Sequence, residues 1–173
     1  MILRLKGGEG SGFYGHAGRP GQKGGSAHAN DSTNPGSKKA LVDFVNAVAN
    51  MQENSIYGVV KRHGKFYNPQ PLPKGYKKEH AKECYSNAWH LSESSGLQYV
   101  EGLAMPDFMD IPIEHAWCVD KQSNVYDNTW PKPGRAYYGV PFDKTFVSTV
   151  LAETGTFGVI KFHSETFRKR YAV

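Results

Sequence analysis

The chain has 173 residues, and its 21 Lys and Arg against 16 Asp and Glu give a formal net charge of +5. This length allows one domain with a sizeable core, two cysteines are too few for a disulfide framework, and no apolar run approaches the roughly 18 residues of a membrane span. The start, MILRLKGGEG, has too short an apolar core for a secretory signal. We therefore expect no membrane association and a location in the cytoplasm.

Basic residues are concentrated in two places. Seven Lys or Arg lie between residues 61 and 82, and three are consecutive at 168–170. Clusters of this kind suit an acidic partner such as nucleic acid, a phosphorylated surface or a cell-wall polymer. Because no nucleic-acid-binding motif accompanies them, a solvated basic face is the favoured interpretation, and a basic nucleic-acid-binding module is the weakest alternative.

The first 36 residues differ in composition from the rest of the chain. They hold ten of the nineteen glycines and few large apolar side chains. A segment of this composition cannot form a core, so residues 1–36 are predicted to be a flexible arm or docking tag. Residues 37–173 hold nearly all the aromatic and β-branched residues and are predicted to form a single domain.

Residues 10–26 of the arm, GSGFYGHAGRPGQKGGS, are not a random Gly/Ser linker. They resemble the GHxGRPGxxGGS signature of bacteriophage head-morphogenesis and portal-linked proteins. The resemblance implies a phage or prophage setting, docking to a phage head or portal protein through residues 7–36, and a place in the cytoplasm of the bacterial host with association to the virion.

The first half of the domain is predicted to be helical. Apolar residues recur at helical spacing over 38–52, with Ser37 as the N-cap. Residues 55–76 contain one short strand candidate and a loop in which alternate prolines exclude regular structure. A second helix follows from about Lys77, or from near Glu83 if the preceding loop is longer, and stops before Gly96. Cys84 lies on this helix.

The second half reads as strands with one helix between them. The strands are predicted at 97–105, 113–120 and 125–130, within 131–142, and at 156–163; a helix runs from the N-cap Asp143 to Gly155, and a basic tail or short helix ends the chain. Helices first and an antiparallel meander afterwards indicate an α+β fold with helices packed on an antiparallel sheet.

Three side chains in this order carry the chemistry: Cys84, His115 and Asp127. A thiol, an imidazole and a carboxylate suit a nucleophilic cysteine that a base activates and a third group orients. Cys118 falls on the strand face opposite to His115 and reads as a small buried hydrophobic residue. The other histidines have no ligand spacing, so neither a metal nor a cofactor is expected.

The third member of this set depends on the turn between the two strands. An odd turn centred on Lys121 or Gln122 brings Asp127 to the face of His115. An even turn over residues 121–124 brings Asn128 there instead and gives a Cys-His-Asn site. Asp127 is preferred, because a carboxylate stabilises an imidazolium better than an amide does.

A cysteine on a helix, the HAW of residues 115–117 and the DNTW of residues 127–130 resemble the core of the transglutaminase-like group in the papain-like superfamily. That resemblance implies a helix carrying the thiol, packed on an antiparallel sheet. It also implies Cys84 as the nucleophile, His115 as base and acid, and Asp127 as the orienting group.

These features lead to the hypothesis of a phage-associated, cysteine-dependent acyl-transfer enzyme of the peptidase, amidase, deamidase or transglutaminase type. Its substrate would be a protein, peptide or cell-wall amide, and its oxyanion donors the backbone N–H of Cys84 with Gln70, ahead of Asn68 or Asn87. The alternative is a non-enzymatic virion structural protein that docks through its arm.

Overall fold

Five helices and five strands make up the part of the chain that the computed structural model describes, residues 35–52, 54–160 and 164–172. Their order places two helices first and strands interleaved with helices afterwards, so the predicted α+β class is confirmed. The elements are α1 Pro35–Met51, α2 Ile56–His63, β1 Lys65–Tyr67, α3 Cys84–Ser95, β2 Gln98–Met105, β3 Ile113–Val119, β4 Val125–Tyr126, β5 Ala136–Phe142, α4 Lys144–Thr154 and α5 Glu165–Tyr171.

All five strands form one antiparallel sheet in the order β1-β5-β2-β3-β4. Only β2, β3 and β4 follow one another as the predicted meander. The chain then crosses to the far side of β2, where β5 pairs with β2 and β1 lies at the edge. The strand β2 is therefore central, with Gly102 opposite His115 on one side and opposite Gly139 on the other.

Alternating side chains give the sheet two buried faces. One face packs against the helices and includes Tyr99 and Leu103 of β2 together with Cys118 of β3. The other face carries the aromatic cluster in which the candidate site lies. Its buried apolar members are Tyr67, Val100, Ala104, Trp117, Val119, Val125, Trp130 and Tyr137.

Gly139 makes room for this aromatic cluster. A Cβ at this position would lie 2.7 Å from the Trp117 ring and 2.5 Å from the Glu101 carbonyl oxygen. No side chain fits at such distances, so the missing Cβ lets Trp117 pack directly over the centre of the sheet. This packing fixes how far the Trp117 ring stands from the sheet on the face of β3 that also carries His115.

The helix α1 begins at Pro35, and Ser37 is a buried residue inside the helix. The prediction of Ser37 as the N-cap was therefore wrong. Proline suits the first position of a helix, where its missing N–H leaves no bond unmade. Pro35 and Gly36, which were assigned to the arm, belong to α1, and residues 1–34 lie outside the described residues.

The helix α3 begins at Cys84, not at Lys77. Residues 77–83, KKEHAKE, have no apolar side chain larger than alanine to bury. Instead they bond to the segment after β4, where the Glu79 N–H donates to the Asn128 carbonyl at 2.8 Å. Lys82 then takes a left-handed φ of 70°, which interrupts any helix through this point.

Three further predictions differ from the structure. The helix α2 was not predicted; it is short, and Ser55 caps it by accepting the Gly58 N–H. The strand predicted over 125–130 ends at Tyr126, and β5 is longer than the short strand expected there. Residues 156–160 form no strand, because the N–H groups of Val159 and Ile160 donate to the buried carboxylate of Glu101.

The predicted ends of α4 are confirmed. The Asp143 side chain accepts the Phe146 N–H at the start, and Gly155 closes the helix in a left-handed conformation with φ of 67°. The end of the described chain is helical in α5, with Ser164 as its N-cap. Among the described residues, no helix combines the length and the apolar character that crossing a membrane requires.

Candidate active site

The turn between β3 and β4 is centred on Gln122, with Val119 opposite Val125 and Cys118 opposite Tyr126. This is the odd turn of the two alternatives. By extension of this register Asp127 follows opposite Trp117, so it lies one diagonal from His115 and on the same face.

Asp120 fixes the shape of that turn. Its Oδ1 accepts the N–H groups of Gln122 and Asn124, both at 2.9 Å, and its backbone oxygen accepts the Ser123 N–H at 3.1 Å. Ser123 adopts a left-handed φ of 65°. An aspartate at this position mimics a backbone turn, so one side chain outside the site decides which residue faces His115.

His115 and Asp127 form a buried pair. The distance from His115 Nε2 to Asp127 Oδ2 is 2.8 Å, and the two residues are 1% and 3% exposed. The second carboxylate oxygen accepts the N–H groups of Thr129 at 2.9 Å and Trp130 at 3.2 Å. These backbone bonds hold the carboxylate in one orientation and occupy both lone pairs of Oδ1.

The pair shifts the pKa of both partners in the direction that favours charge. Burial disfavours the charged imidazolium, but the charge and hydrogen bond of Asp127, with smaller contributions from Cys84, outweigh it and raise the pKa of His115 to about 9. Burial likewise disfavours the carboxylate, yet His115, the Thr129 N–H and Tyr137 lower the pKa of Asp127 below its usual value. An imidazolium beside a carboxylate is thus the stable state near neutral pH.

Cys84 is the first residue of α3 and is 9% exposed. Its side chain is near enough to His115 to make a small contribution to the raised pKa of that histidine. Because Asp127 occupies Nε2, the ring atom left for the thiol is Nδ1. Glu83 precedes the helix without a side-chain cap, so Cys84 stands at an uncapped helix N-terminus.

Asn128 is held away from His115. Its Nδ2 donates to the Asn87 carbonyl of α3 at 3.2 Å, and its own carbonyl accepts the Glu79 N–H. The structure therefore brings Asp127 to the histidine and gives Asn128 a different contact, which joins the loop after β4 to α3.

The side chains considered as oxyanion donors have other partners. Gln70 is half-buried, and its side chain is near enough to the Tyr126 hydroxyl to affect the pKa of that phenol. Asn68 donates to the Gln122 carbonyl at 3.3 Å, and Asn87 donates to the Thr129 hydroxyl at 3.0 Å. Within the described residues the Cys84 N–H has no acceptor, as expected for the first N–H of an uncapped helix.

Trp130 covers the histidine. Its ring stacks on the imidazole with centroids 3.9 Å apart and planes 13° from parallel. This contact keeps water from one face of His115 and fixes the plane of its ring. Trp130 belongs to the DNTW motif, but the motif alone predicted no role for its ring.

Tyr137 of β5 is a second site residue that was not predicted from the sequence. Its hydroxyl accepts the Gly134 N–H at 2.7 Å and donates to Asp127 Oδ2 at 2.9 Å. Burial, helped by the charge of Asp127, raises the pKa of Tyr137 well above its usual value, so the phenol stays a donor. No local pattern could reveal it, because β5 reaches the site only through the crossover next to β2.

Lys78 fastens the loop after β4 from the other side. Its ammonium donates to the carbonyls of Asp127, at 2.8 Å, and of Trp130. Burial lowers the pKa of Lys78, and the charge of Asp127 opposes that shift. The residues just before the cysteine helix therefore position the residue that orients the histidine.

A groove of about 700 Å³ runs along the outer side of α3. It reaches Glu83, Asn87 and Asn128, next to the site, but Cys84 and His115 do not line it. Within the described ranges, no three His, Cys, Asp or Glu side chains are grouped as metal ligands would be.

Comparison of the chain with protein-family models, with curated proteins and with solved structures finds no match in any of the three. The site itself consists of a thiol at a helix N-terminus, a histidine whose pKa that thiol helps to raise, and a carboxylate that is hydrogen-bonded to the histidine and to three further donors.

Proposed function

We propose that this protein is a cysteine-dependent acyl-transfer enzyme in which Cys84 is the nucleophile, His115 the base and acid, and Asp127 the orienting group. The observation that carries the proposal is the position of His115, whose Nε2 lies 2.8 Å from Asp127 Oδ2 while Cys84 is near enough to contribute to the raised pKa of the imidazole. A histidine used only for packing has no need of a buried carboxylate and a thiol at once.

In the reactive state the thiol proton of Cys84 is on His115, and the Cys84 sulfur attacks the carbonyl carbon of an amide or ester. A C–S bond forms, and the electron pair of the carbonyl moves to its oxygen, which the Cys84 N–H stabilises. When the carbonyl re-forms, the bond to the leaving amine or alcohol breaks, and His115 donates its proton to that group. The product is a thioester on Cys84.

The second half releases the acyl group. His115, now neutral, takes a proton from water or an amine, whose oxygen or nitrogen attacks the thioester carbon. The C–S bond breaks, and the sulfur and imidazolium return to their starting state. Water gives peptidase, amidase or deamidase activity, and an amine gives transglutaminase activity.

The transglutaminase-like, papain-like arrangement belongs to this proposal, as does the phage setting. Support for the first comes from the placement of the three side chains: the thiol at the start of a helix, the histidine on a strand, and the aspartate just after the next strand. Support for the second rests on the glycine-rich motif of residues 10–26, through which the protein would dock to a phage head or portal protein in the bacterial host.

The test is selective alkylation of the folded protein with iodoacetamide, read by peptide mass spectrometry. We expect Cys84 to react and Cys118 to stay unmodified, because Cys118 is fully buried, its sulfur is bonded to the Ala88 carbonyl at 3.0 Å, and burial raises its pKa. His115→Ala should slow the Cys84 reaction by roughly a hundredfold, the usual size of a base contribution.

Cys118→Ala is the matched control, since it removes the other thiol and leaves the site untouched. In the Cys118→Ala protein, Cys84 should react with iodoacetamide at the wild-type rate. If Cys84 becomes reactive only after unfolding, or reacts equally fast in His115→Ala, the enzyme hypothesis is wrong. The alternative hypothesis of a non-enzymatic virion structural protein would then be favoured.

A further inference from the structure

The loop over residues 106–112, between β2 and β3, exposes large apolar side chains beside the site. Phe108 is 62% exposed, Met109 40% and Ile111 61%. Among the described residues, four large apolar side chains are exposed; three of them lie on this loop, and the fourth is Met51 of α1. Large apolar side chains that are exposed together on a protein surface often mark an interaction site, whereas single ones need no explanation.

This loop is held in place, so the exposure is a fixed feature of its shape. Arg135, the residue before β5, donates from Nε to the Pro106 carbonyl at 3.1 Å and from Nη2 to the Met109 carbonyl at 2.7 Å. The prolines at both ends, Pro106 and Pro112, are buried. A rigid surface of this kind loses little conformational entropy when it binds.

The loop is continuous with the site through aromatic contacts. The Phe108 ring meets the edge of Trp130 at a centroid distance of 6.1 Å, and Trp130 stacks on His115 at 3.9 Å. A group that covers Phe108 is therefore one ring away from the histidine that would handle the proton of the substrate.

The charges of the loop are already paired. Asp107 lies 3.3 Å from Lys132, and Asp110 lies 2.7 Å from Arg135. Both carboxylates have a cationic partner within this chain, so the exposed apolar side chains are the distinguishing contact surface of the loop. This chemistry favours a polypeptide over a carbohydrate or a highly charged polymer.

We infer that the 106–112 loop is the specificity surface of the site and that it binds large apolar side chains of a polypeptide substrate, next to the amide that Cys84 attacks. This inference rests on the proposed function and narrows its substrate class. A leucine or phenylalanine side chain placed against Phe108 and Ile111 would bury apolar surface on both partners.

The experiment compares two inhibitors that differ only in their side chains, acetyl-Leu-Leu and acetyl-Ser-Ser chloromethyl ketones. In both, the Cys84 sulfur forms a bond to the methylene carbon and chloride leaves with the electron pair of the C–Cl bond. Each inactivation rate constant is divided by the iodoacetamide rate of the same protein, which corrects for any change in thiol reactivity.

For the wild-type full chain we expect the Leu-Leu inhibitor to react roughly tenfold faster or more, the usual discrimination by apolar contacts. Phe108→Ser/Ile111→Ser should bring the ratio close to one. Both side chains are more than half exposed, so this variant should keep the wild-type melting temperature; Ile111→Ser alone should give an intermediate ratio. Met51→Ser is the matched control, because it removes an exposed apolar side chain of α1 and should keep the full preference.

Equal rates for the two inhibitors, or a preference that survives in the double variant, would overturn the inference while leaving the proposed function intact. So would sedimentation that shows a wild-type dimer converted to a monomer by Phe108→Ser/Ile111→Ser, because a second copy would then cover the loop. Failure of iodoacetamide to modify Cys84 in the folded protein is a different result, and it removes the proposed function itself.

Discussion

Among single residues, Asp127 has the largest electrostatic effect on the site. It is the main source of the charge and hydrogen bonding that raise the pKa of His115 to about 9 against the opposing effect of burial. Four donors converge on its carboxylate: His115, Tyr137 and the N–H groups of Thr129 and Trp130. Since the tyrosine and backbone donors do not titrate near neutral pH, the carboxylate stays charged when the histidine changes state.

The first prediction concerns the charge of His115. An imidazolium attracts iodoacetate but not neutral iodoacetamide, so the ratio of their rates at Cys84 should fall as the pH rises through about 9. Asp127→Asn removes the charge that raises this pKa and keeps the shape of the side chain. In this variant the ratio of the two rates should therefore fall at a pH lower by roughly two units, a shift within the usual effect of a neighbouring carboxylate.

The measurement is the pH dependence of both alkylation rates between pH 6 and 10. The Cys118→Ala protein serves as the reference, because any signal then comes from one thiol. A transition that stays at the same pH in Asp127→Asn would mean that Asp127 does not set the charge of the histidine.

At the scale of elements, the site depends on where α3 begins and where β4 ends. The two boundaries are linked, because residues 77–83 bond to the loop after β4 instead of extending the helix. Glu79 donates to the Asn128 carbonyl, and Lys78 donates to the carbonyls of Asp127 and Trp130. One set of contacts thus places Cys84 at a helix N-terminus and Asp127 beside His115.

Lys78→Met tests this link. The substitution keeps the aliphatic stem and removes the donor to two carbonyls, so the free energy of unfolding should fall by about 1–2 kcal/mol. Loosening of the Asp127 loop should also slow iodoacetamide alkylation of Cys84. Urea denaturation and the alkylation rate measure the two effects.

Lys77→Met is the control for this prediction. Lys77 is the exposed neighbour of Lys78, and within the described residues no hydrogen bond or ion pair is formed by its side chain. Lys77→Met should change neither the free energy of unfolding nor the rate at which iodoacetamide alkylates Cys84. Equal effects of the two substitutions would show that the loss of a surface charge, and not the bond to the loop, is responsible.

For the whole molecule, the buried carboxylate of Glu101 joins the central strand to the segment after α4. It accepts the Tyr99 hydroxyl at 2.8 Å and the N–H groups of Val159 at 2.5 Å and Ile160 at 3.0 Å. Burial raises the pKa of Glu101 to about 7, although these three donors oppose the shift. The cost of keeping this charge inside the sheet therefore depends on pH.

The sign of that dependence follows from proton uptake. Between an unfolded value near 4.5 and a folded value near 7, the folded protein holds a proton that the unfolded chain has lost. The contribution of Glu101 to the free energy of unfolding is therefore fully present below pH 4.5 and is lost as the pH rises through about 7. Compared with the Glu101→Gln protein, the free energy of unfolding of the wild-type protein should fall by on the order of 3 kcal/mol between pH 4 and pH 8.

Urea denaturation of both proteins at several pH values gives this difference directly. The contribution of His115, which is present below about pH 6.5 and lost as the pH rises through about 9, is common to both proteins and cancels. A difference that stays constant with pH would mean that Glu101 has the same charge in the folded and unfolded protein.

Several features of the site were predictable because they depend on short-range geometry. Alternation along a strand put His115 and Trp117 on one face and Cys118 on the other, and the structure has them there. The caps of α4 followed from an aspartate and a glycine at the right spacing. The choice between Asp127 and Asn128 was narrowed to the parity of one turn.

Other features were decided only by tertiary structure. The turn parity depends on the bonds of Asp120, and the start of α3 depends on contacts between residues 77–83 and a loop some fifty positions later. Tyr137 reaches Asp127 because β5 crosses to pair with β2. The missing strand at 156–160 has the same origin, since a buried carboxylate competes there for the N–H groups that a ladder would use.

The sequence by itself therefore determined the α+β class, the helix and strand that carry Cys84 and His115, and the two candidates for the third residue. These depend on side-chain periodicity, which is local. Tertiary structure decided which candidate bonds to His115, that the thiol stands at a helix N-terminus, and which aromatic residues enclose the pair. These depend on hydrogen bonds between segments far apart in the chain, where a buried donor or acceptor must find a partner and overrides local preference.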